Sequence, residues 1–172
     1  MKVNLGCGHD YRKSFMNIDI SKECKADVYY NVEDGLSLKD NSVSYIYSRH
    51  VLEHIHKDKF NFVLSEIIRV CKNNAVVELY LPHFSCGITY RTIDHHTFIS
   101  YFTFNHKNLQ ILNRKFYYLR TSFKYNNNNY NFFKIFNPIL SFLPNVCPLV
   151  YERLFCWIYP VEEVYFKIKI VK

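Results

Sequence analysis

Short apolar runs rich in β-branched residues recur along the first half of the chain. They cover residues 2–5, 17–20, 26–30, 43–47 and 75–81. Runs of this length between polar segments are typical of buried strands. Between the last two runs an apolar stripe repeats at intervals of three and four and predicts a helix over residues 57–71, through Phe60, Val63, Leu64, Ile67, Ile68 and Cys71. Strands that alternate with helical connections indicate a parallel sheet.

The pattern changes after Leu81. Residues 82–104 are rich in His, Tyr, Phe and Thr without a clear period, which favours a loop or lid over a site. Two further strand candidates, residues 109–123 and 164–171, would complete the sheet as a hairpin pair. Between them, residues 126–129 are polar and predict an exposed turn.

Composition limits the class of protein. The chain has 172 residues, 49% of them hydrophobic and 22% charged, which predicts a single globular domain over residues 1–172. The net charge of +7 suits an acidic partner such as nucleic acid, a phosphate-bearing glycan or an anionic membrane face. A basic surface that serves only solubility explains the charge equally well.

The six cysteines are scattered, without a CxxC pair. We therefore expect them to be reduced, in a cytoplasmic protein. The first residues do not resemble a signal peptide, and no uncharged stretch reaches the roughly 18 residues needed to span a bilayer.

The strongest local motif is NLGCGHD, which follows the first strand at residues 4–10. Gly6 and Gly8 let the backbone turn sharply and let a ligand approach without a Cβ atom in the way. The NIDI motif then places Asp19 at the end of the second strand, where a carboxylate can accept hydrogen bonds from two ribose hydroxyls. The alternative is an ordinary turn, with Asp19 as a helix cap.

A dinucleotide site fits the motif poorly. It requires a third glycine that opens a helix and an acidic residue about 20 positions further on. Here residues 10–13 follow Gly8 without a glycine, and the distance to Asp19 is too short for a full crossover helix. The sequence therefore disfavours NAD.

The ordered series NLGCG, NIDI, ADVYYNVEDGLSLKDNSVSYIYSRHVLEHI, IIRVCKNN and ELYLPHF resembles a known family. It is similar to the small bacterial and archaeal S-adenosylmethionine-dependent methyltransferases often associated with glycan and cell-envelope biosynthesis. The resemblance continues to the C-terminal LVYERLFCWIYPVEEVYFKIKIVK. It implies a class I, Rossmann-like α/β fold with a seven-stranded, mostly parallel sheet, an antiparallel last strand and a shortened first crossover.

The resemblance also implies cofactor contacts. The glycine loop would line the methionine and ribose part of S-adenosylmethionine, Asp19 would hold the ribose hydroxyls, and the loop after the third strand would lie near the adenine. Residues at the end of the fourth strand would face the transferable methyl group. The implied cofactor-binding residues are Asn4, Gly6, Cys7, Gly8, Asp19, Ile20, Asn31, Ser48 and Arg49.

This chain departs from the family pattern at several positions. Asn4 replaces the common acidic residue of the first motif, and Asn31 stands where the family usually has an acidic residue. Asn73 and Asn74 replace a Pro-Gly-Gly turn.

Histidines supply the candidate catalytic groups. A histidine near neutrality can accept the proton of a hydroxyl as the methyl group arrives. The candidates are His50 at the carboxyl end of the fourth strand and His83 and His95 in the lid, with Tyr90 and Arg91 as substrate contacts. The alternative for the lid residues is that they only pack the loop.

Two further features keep alternatives open. His54 has either a direct role or local hydrogen bonds at a helix start. A zinc site would suit the ligand types of His83, Cys86, His95 and His96, but it lacks a close ligand pair at each end. We therefore predict no metal.

Residues 132–159 are strongly apolar, and Pro138, Pro144 and Pro148, with Pro160 directly after them, break the segment into short pieces. We predict an apolar helical insertion over residues 130–160, packed on the sheet as an extra layer. The alternatives are a homodimer interface or a peripheral contact with a membrane near a lipid-linked substrate, which would place the protein at the inner membrane face.

The predicted function is S-adenosylmethionine-dependent O-methylation of a sugar, a glycan or a related small acceptor. One rival is a non-catalytic protein with this fold that binds the cofactor or a partner. A second rival is a nucleic-acid methyltransferase, which the charge suggests. It ranks lower because the chain lacks an Asn-Pro-Pro-Tyr type of motif.

Overall fold

A computed structural model of the chain describes residues 1–121 and 134–172. The predicted turn at residues 126–129 lies outside the described residues, as do the end of the 109–123 strand candidate and the first residues of the apolar insertion. Seven described strands form one sheet in the order β3-β2-β1-β4-β5-β7-β6. They are β1 (Lys2–Leu5), β2 (Met16–Asp19), β3 (Val28–Tyr29), β4 (Val43–Arg49), β5 (Cys71–Pro82), β6 (Leu109–Tyr117) and β7 (Glu163–Ile170).

The directions of the strands confirm the predicted fold class. Strands β3, β2, β1, β4 and β5 pair in parallel. Strand β7 runs antiparallel to both of its neighbours, β5 and β6, so the last strand reverses as predicted. This is the mixed seven-stranded sheet of a Rossmann-like methyltransferase fold.

One long helix, α1 (Lys57–Val70), connects β4 and β5. It buries the apolar stripe predicted from the sequence, and the N–H of Cys71 closes its last turn on the Ile67 carbonyl. The other described helices are short: α2 (Gly87–Arg91), α3 (Asn137–Leu140), α4 (Phe142–Val146) and α5 (Pro148–Val150), with a π-helical turn at Tyr151–Phe155. Single 3₁₀ turns lie at Val32–Asp34, Leu52–His54 and Lys134–Phe136.

The first crossover contains no helix. Residues 6–15 lead from β1 to β2 through turns alone, as the short distance to Asp19 predicts. The glycine loop therefore passes directly over the carboxyl ends of these two strands.

The two faces of the sheet differ. One face carries the core, in which Ile46, Leu79 and Phe166 lie side by side and contact α1 and the C-terminal segments. The opposite face carries rings that contact one another, such as Tyr47 with Tyr80 at 5.8 Å. Within the described ranges, no helix contributes to these ring contacts.

This asymmetry corrects one sequence interpretation. A parallel sheet covered on both faces has continuously apolar strands, and the runs were interpreted as buried strands of that kind. Strands β4, β5 and β7 instead alternate, with core side chains between tyrosines and charged residues. Such alternation is typical of a sheet with one apolar face.

The C-terminal short helices attach to the open edge of the sheet through polar side chains. The Asn145 side chain accepts from Phe116 N–H and donates to its carbonyl, both at 2.9 Å. Asn137 bridges the backbone of Leu119 in the same way at 2.8 Å, and Ser141 Oγ accepts from Tyr118 N–H. These residues satisfy the edge that an unpaired strand leaves open.

The outward side of this segment is apolar, so only part of it packs as an extra layer. Tyr151 is buried against Phe116, whereas Ile139 and Ile158 are largely exposed. In the described part of the chain, no helix is both long enough and apolar enough to cross a membrane.

Candidate cofactor and acceptor site

The glycine loop after β1 is held by the backbone of β2. The N–H groups of Gly6 and Cys7 both donate to the Ile18 carbonyl, at 2.8 and 3.0 Å. Gly6 has a φ of 66° and Gly8 a φ of 46°, a left-handed conformation that favours glycine. This conformation therefore favours glycine at both positions of the turn.

The two glycines differ in what a side chain would meet. A Cβ on Gly6 would lie 2.0 Å from Val51 Cγ2, whereas a Cβ on Gly8 would meet nothing within 4 Å. The missing side chain at Gly6 thus accommodates Val51 rather than a ligand, which corrects the reason given from the sequence. Only Gly8 leaves open space beside the loop.

Asp19 closes the loop at the end of β2. One carboxylate oxygen accepts from Gly8 N–H at 2.7 Å and the other from Ser21 N–H at 2.9 Å. No helix follows β2, so Asp19 is not a helix cap. A carboxylate has lone pairs for about four hydrogen bonds, so two remain for hydroxyl donors.

Asn4 is a buried part of the loop's support. Its side-chain amide donates to the Asp10 carbonyl at 2.7 Å and to Asn17 Oδ1 at 3.0 Å. An acidic side chain could not donate either bond. The asparagine at this position therefore has a structural explanation.

The loop after β3 forms a second wall. Asn31 caps a 3₁₀ turn by accepting from Glu33 N–H at 3.0 Å. The Glu33 carboxylate accepts from the backbone N–H of His56 at 2.7 Å and lies 2.9 Å from its Nδ1. Burial alone would raise the pKa of Glu33, but these contacts outweigh burial and lower it.

Both walls bound one cavity of about 870 Å³ at the carboxyl ends of β1, β2 and β4. Ligands of open parallel sheets bind outside these ends. The lining residues are Asn4, Gly6, Cys7, Gly8, His9, Asp10, Arg12, Ile18, Asp19, Ile20, Tyr30, Asn31, Val32, Glu33, Tyr47, Arg49, His50, Val51, His54, Ile55, His56 and Asp94.

His50 lies between two buried carboxylates. Its Nδ1 is 3.0 Å from Glu53 Oε1 and its Nε2 is 3.2 Å from Glu163 Oε1. Glu163 also accepts from Arg49 Nη1 at 2.7 Å and from the Thr121 hydroxyl at 2.6 Å. Burial opposes protonation of the imidazole, but the two carboxylates outweigh it and raise the pKa of His50.

The same cluster also changes the pKa of the Glu163 carboxylate. Burial alone would raise the pKa of Glu163, but His50 and Arg49 lower it. His50 also has a φ of 54°, which is uncommon outside glycine and holds the imidazole in this cluster. We infer a charged His50 that organises the cavity wall rather than one that accepts a proton.

A second histidine pair lies at the cavity mouth. The His54 Nδ1 atom is 3.1 Å from both the carbonyl and a carboxylate oxygen of Asp94. The His95 ring packs edge-on against His54, with centroids 4.8 Å apart. Burial lowers the pKa of His95, so its imidazole is neutral near neutral pH.

The structure places the predicted site residues in two groups. Of the predicted cofactor contacts, all but the fully buried Ser48 line the cavity. Of the predicted catalytic and substrate residues, only His50 lines it; the cavity lining does not include His83, His95, Tyr90 or Arg91. Their functional roles stay predictions.

His83 belongs to an internal network. Its ring is fully buried, with Nδ1 2.8 Å from Ser85 Oγ and Nε2 3.1 Å from Glu152 Oε1. Burial lowers its pKa despite Glu152. Glu152 also accepts from Tyr101 N–H at 2.6 Å, so the network joins the lid to the C-terminal segment.

The four residues considered for zinc do not form a group in the described ranges. Potential ligand atoms converge instead at Glu53, His54 and His95, and at Cys7, Asp19 and Cys24. The thiol of Cys7 is no ready ligand, because burial foremost, with Asp19 nearby, raises its pKa to about 12.

Sequence reasoning missed several cavity residues. Glu33, Arg12 and Asp94 line the cavity, and Glu163 contacts Arg49 and His50 from β7, two strands away from β4. One feature of the sequence could have indicated Glu163, because this acidic residue stands at the start of a run in which apolar residues alternate.

The cavity fits S-adenosylmethionine on three observations. It offers open space beside Gly8, a carboxylate with spare lone pairs at Asp19, and a volume within the range of cofactor sites. When bound, this cofactor supplies a methyl group on a sulfonium.

Comparisons with known proteins agree with this fit. Residues 4–79 match the model of a methyltransferase domain. A search of curated proteins found no match. Among solved structures, an S-adenosylmethionine-dependent methyltransferase from Archaeoglobus fulgidus is similar at 14% identity and a TM-score of 0.61, covering 98% of this chain and 85% of that one.

Two other solved structures share the fold. One is the complex of the Haloferax volcanii Trm112 methyltransferase activator with a methyltransferase, at 13% identity, coverage of 99% and 81%, and a TM-score of 0.59. The other is an S-adenosylmethionine-dependent methyltransferase from Mesorhizobium loti, at 10% identity, coverage of 98% and 89%, and a TM-score of 0.56. The domain match over residues 4–79 and the shared fold support a methyltransferase function with S-adenosylmethionine as the cofactor.

Proposed function

We propose that the protein methylates a hydroxyl group of a sugar, a glycan or a related small polar acceptor. One observation carries this proposal. A single cavity extends from the glycine loop and Asp19 at one end to His54 at the other, and His95 packs against His54 just outside the lining.

The histidine pair would receive the acceptor's proton. With the cofactor bound to supply the methyl group, an imidazole of the pair would accept the proton of the acceptor hydroxyl. His54 faces the cavity, and the neutral His95 packs behind it with a buried Nδ1 that has no hydrogen-bond partner among the described residues. Asp94 fixes the orientation of His54.

The wall between these ends suits a polar ring. The Arg12 guanidinium stacks on Tyr47 at 3.5 Å, and both residues line the cavity together with Arg49. A flat ring beside guanidinium donors offers both a packing surface and hydrogen bonds to hydroxyls. This feature supports a sugar-like acceptor over an apolar one.

Cofactor binding is tested first, by calorimetry with S-adenosylmethionine and its demethylated product. Asp19→Ala should weaken binding by roughly 1.5–3 kcal/mol because the ribose hydroxyls lose a charged acceptor. Asp58→Ala is the matched control, since Asp58 is an exposed acid on α1 outside the cavity. Equal affinity of both variants and the parent would remove Asp19 from the site.

Turnover is tested next, by mass spectrometry of sugar, amine and nucleic-acid acceptors after incubation with the cofactor. His54→Gln and His95→Gln should lower turnover about 10²-fold while cofactor affinity stays unchanged. His106→Gln in an exposed loop is the control. Binding without turnover on any acceptor would instead favour a cofactor-binding protein, and methylation of nucleic acid alone would refute the proposed acceptor class.

A further inference from the structure

The short C-terminal helices expose an unusual number of large apolar side chains. We call this surface the apolar patch. Ile158 is 81% exposed, Ile139 73% and Trp157 66%. The other members are Ile135, Phe136, Phe142, Leu143, Val146, Leu149, Val150, Leu154 and Phe155. Monomeric proteins rarely expose a contiguous surface of this kind unless it binds something.

The patch is not a loosely packed core, because the segment's polar side chains point inward. Asn137 and Ser141 are buried, and with Asn145 they hold the backbone of β6. The segment is thus anchored by polar groups on its inner side and presents its apolar groups to the outside.

The charges of the segment follow the same division. Its one carboxylate, Glu152, faces inward and accepts hydrogen bonds from Ser100 and Tyr101. Arg153 is exposed among the apolar side chains. The outward surface therefore combines Trp, Phe, Ile and Leu with positive charge, the combination that binds the interface of an anionic bilayer.

The patch continues onto the lid and reaches the cavity mouth. Trp157 contacts Phe84 and Tyr90, with ring centroids 5.6 and 6.3 Å apart, and Tyr90 contacts Phe98. Ile93 is 96% exposed, and its neighbour Asp94 lines the cavity. A surface on which the patch rests would lie next to the entrance of the site.

We propose that the apolar patch docks on an anionic membrane surface and that the methyl acceptor reaches the cavity from that surface as a lipid-linked molecule. The second half of this inference rests on the proposed function. Charge selects the bilayer over a second copy of the chain. Two copies of a chain with a net charge of +7 repel each other, whereas an anionic bilayer attracts the chain.

Trp157 provides a direct readout because it is the only tryptophan of the chain. The purified full chain is mixed with vesicles of phosphatidylcholine alone or with phosphatidylglycerol added. We expect co-sedimentation with the mixed vesicles, a blue shift of tryptophan emission and weaker binding at high salt. No binding to either vesicle, or an unchanged emission, would overturn the proposal.

Variants test whether vesicle binding depends on the apolar patch or on any exposed apolar residue. Ile139→Ser and Ile158→Ser should each weaken vesicle binding about tenfold or more, since each removes apolar surface from the bilayer. Arg153→Glu should weaken binding to the anionic vesicles selectively. Leu112→Ser on β6 is the matched control, because Leu112 is also exposed but lies outside the patch. Equal losses in Leu112→Ser would show that the patch is not the docking surface.

Two further measurements complete the test. Analytical ultracentrifugation that found a dimer dissociated by Ile139→Ser, without vesicle binding, would assign the patch to a second copy and refute the membrane proposal. Calorimetry with S-adenosylmethionine is repeated on each patch variant. Retained cofactor affinity with lost vesicle binding would show that membrane docking can be tested apart from the methyltransferase site.

Discussion

The two loop glycines allow a matched test of how the site is built. Gly6 and Gly8 have similar left-handed conformations, so alanine at either position should cost roughly 1–2 kcal/mol of strain. Reduced freedom of the unfolded chain returns about 0.4–1 kcal/mol. At Gly8 nothing else changes, because its Cβ would meet open space. We expect Gly8→Ala to destabilise the fold by about 1 kcal/mol or less.

Gly6→Ala adds a steric conflict. Its Cβ would lie 2.0 Å from Val51 Cγ2, and Val51 follows directly on His50 in the cavity wall. Overpacking of this kind typically costs about 1–3 kcal/mol. The expected loss of unfolding free energy for Gly6→Ala is therefore about 2–4 kcal/mol, measured by urea denaturation. Cofactor affinity should fall as well, because the conflict displaces the wall.

The double variant Gly6→Ala/Val51→Ala tests the cause. It removes both methyl groups within 3.3 Å of the new Cβ, so the combined loss should be smaller than the sum of the single losses by about 1–3 kcal/mol. Strict additivity, or equal losses in Gly6→Ala and Gly8→Ala, would refute the claim that Val51 requires a glycine at position 6.

Other predictions concern charge and the sheet edge. Because the carboxylates raise the pKa of His50, its stabilising charge should be fully present below the unfolded value of about 6.5 and be lost as pH rises through the folded pKa. The stability difference between the parent and His50→Gln should thus shrink at alkaline pH, and a pH-independent difference would contradict this. Glu163→Gln should lower the pKa of His50 in an NMR titration, while an unchanged value would show that Glu163 does not act on it. Asn145→Ala should cost about 1–3 kcal/mol by leaving Phe116 N–H and C=O unpaired, against a near-zero effect for the exposed Asn105→Ala.

Local pattern predicted most of the sheet and its long helix. Every strand candidate overlaps an observed strand, and helix α1 ends within one residue of its predicted bound. These elements have strong apolar runs with polar breaks, so their signals are local. The predicted bounds were less accurate where hydrogen bonds to a neighbouring strand determine how far a strand extends. Strand β3 is an example, because the candidate covered residues 26–30 and the strand is only Val28–Tyr29.

The uncovered face of the sheet was readable but was not recognised. In β4 the order Tyr45, Ile46, Tyr47 alternates ring and core residue, and β5 and β7 repeat the pattern. The interpretation of the runs as buried strands of a parallel sheet concealed this signal. The short first crossover was the second hint, because it left no helix to cover the strands it connects.

The inward polar row of the C-terminal segment could not be interpreted from the sequence alone. Asn137, Ser141 and Asn145 recur every four residues, which marks one side of a helical segment. That side faces protein only because β6 is an open edge of the sheet. The strand order makes β6 an edge, and it results from contacts between residues distant in sequence. The same dependence explains why the apolar residues between them face outward.

The assignment of the base shows most clearly where local reasoning ends. His50 was a candidate because it follows β4, and ligands bind outside the ends of parallel strands. The structure places His50 in the lining of the cavity. Its protonation state is set by Glu163, which arrives from β7 at the far end of the chain and, with Glu53, favours the charged imidazole. A charged imidazole cannot accept a proton. This is why we propose the histidine pair at the mouth as the proton acceptor, where burial lowers the pKa of His95 and its Nδ1 has no hydrogen-bond partner among the described residues.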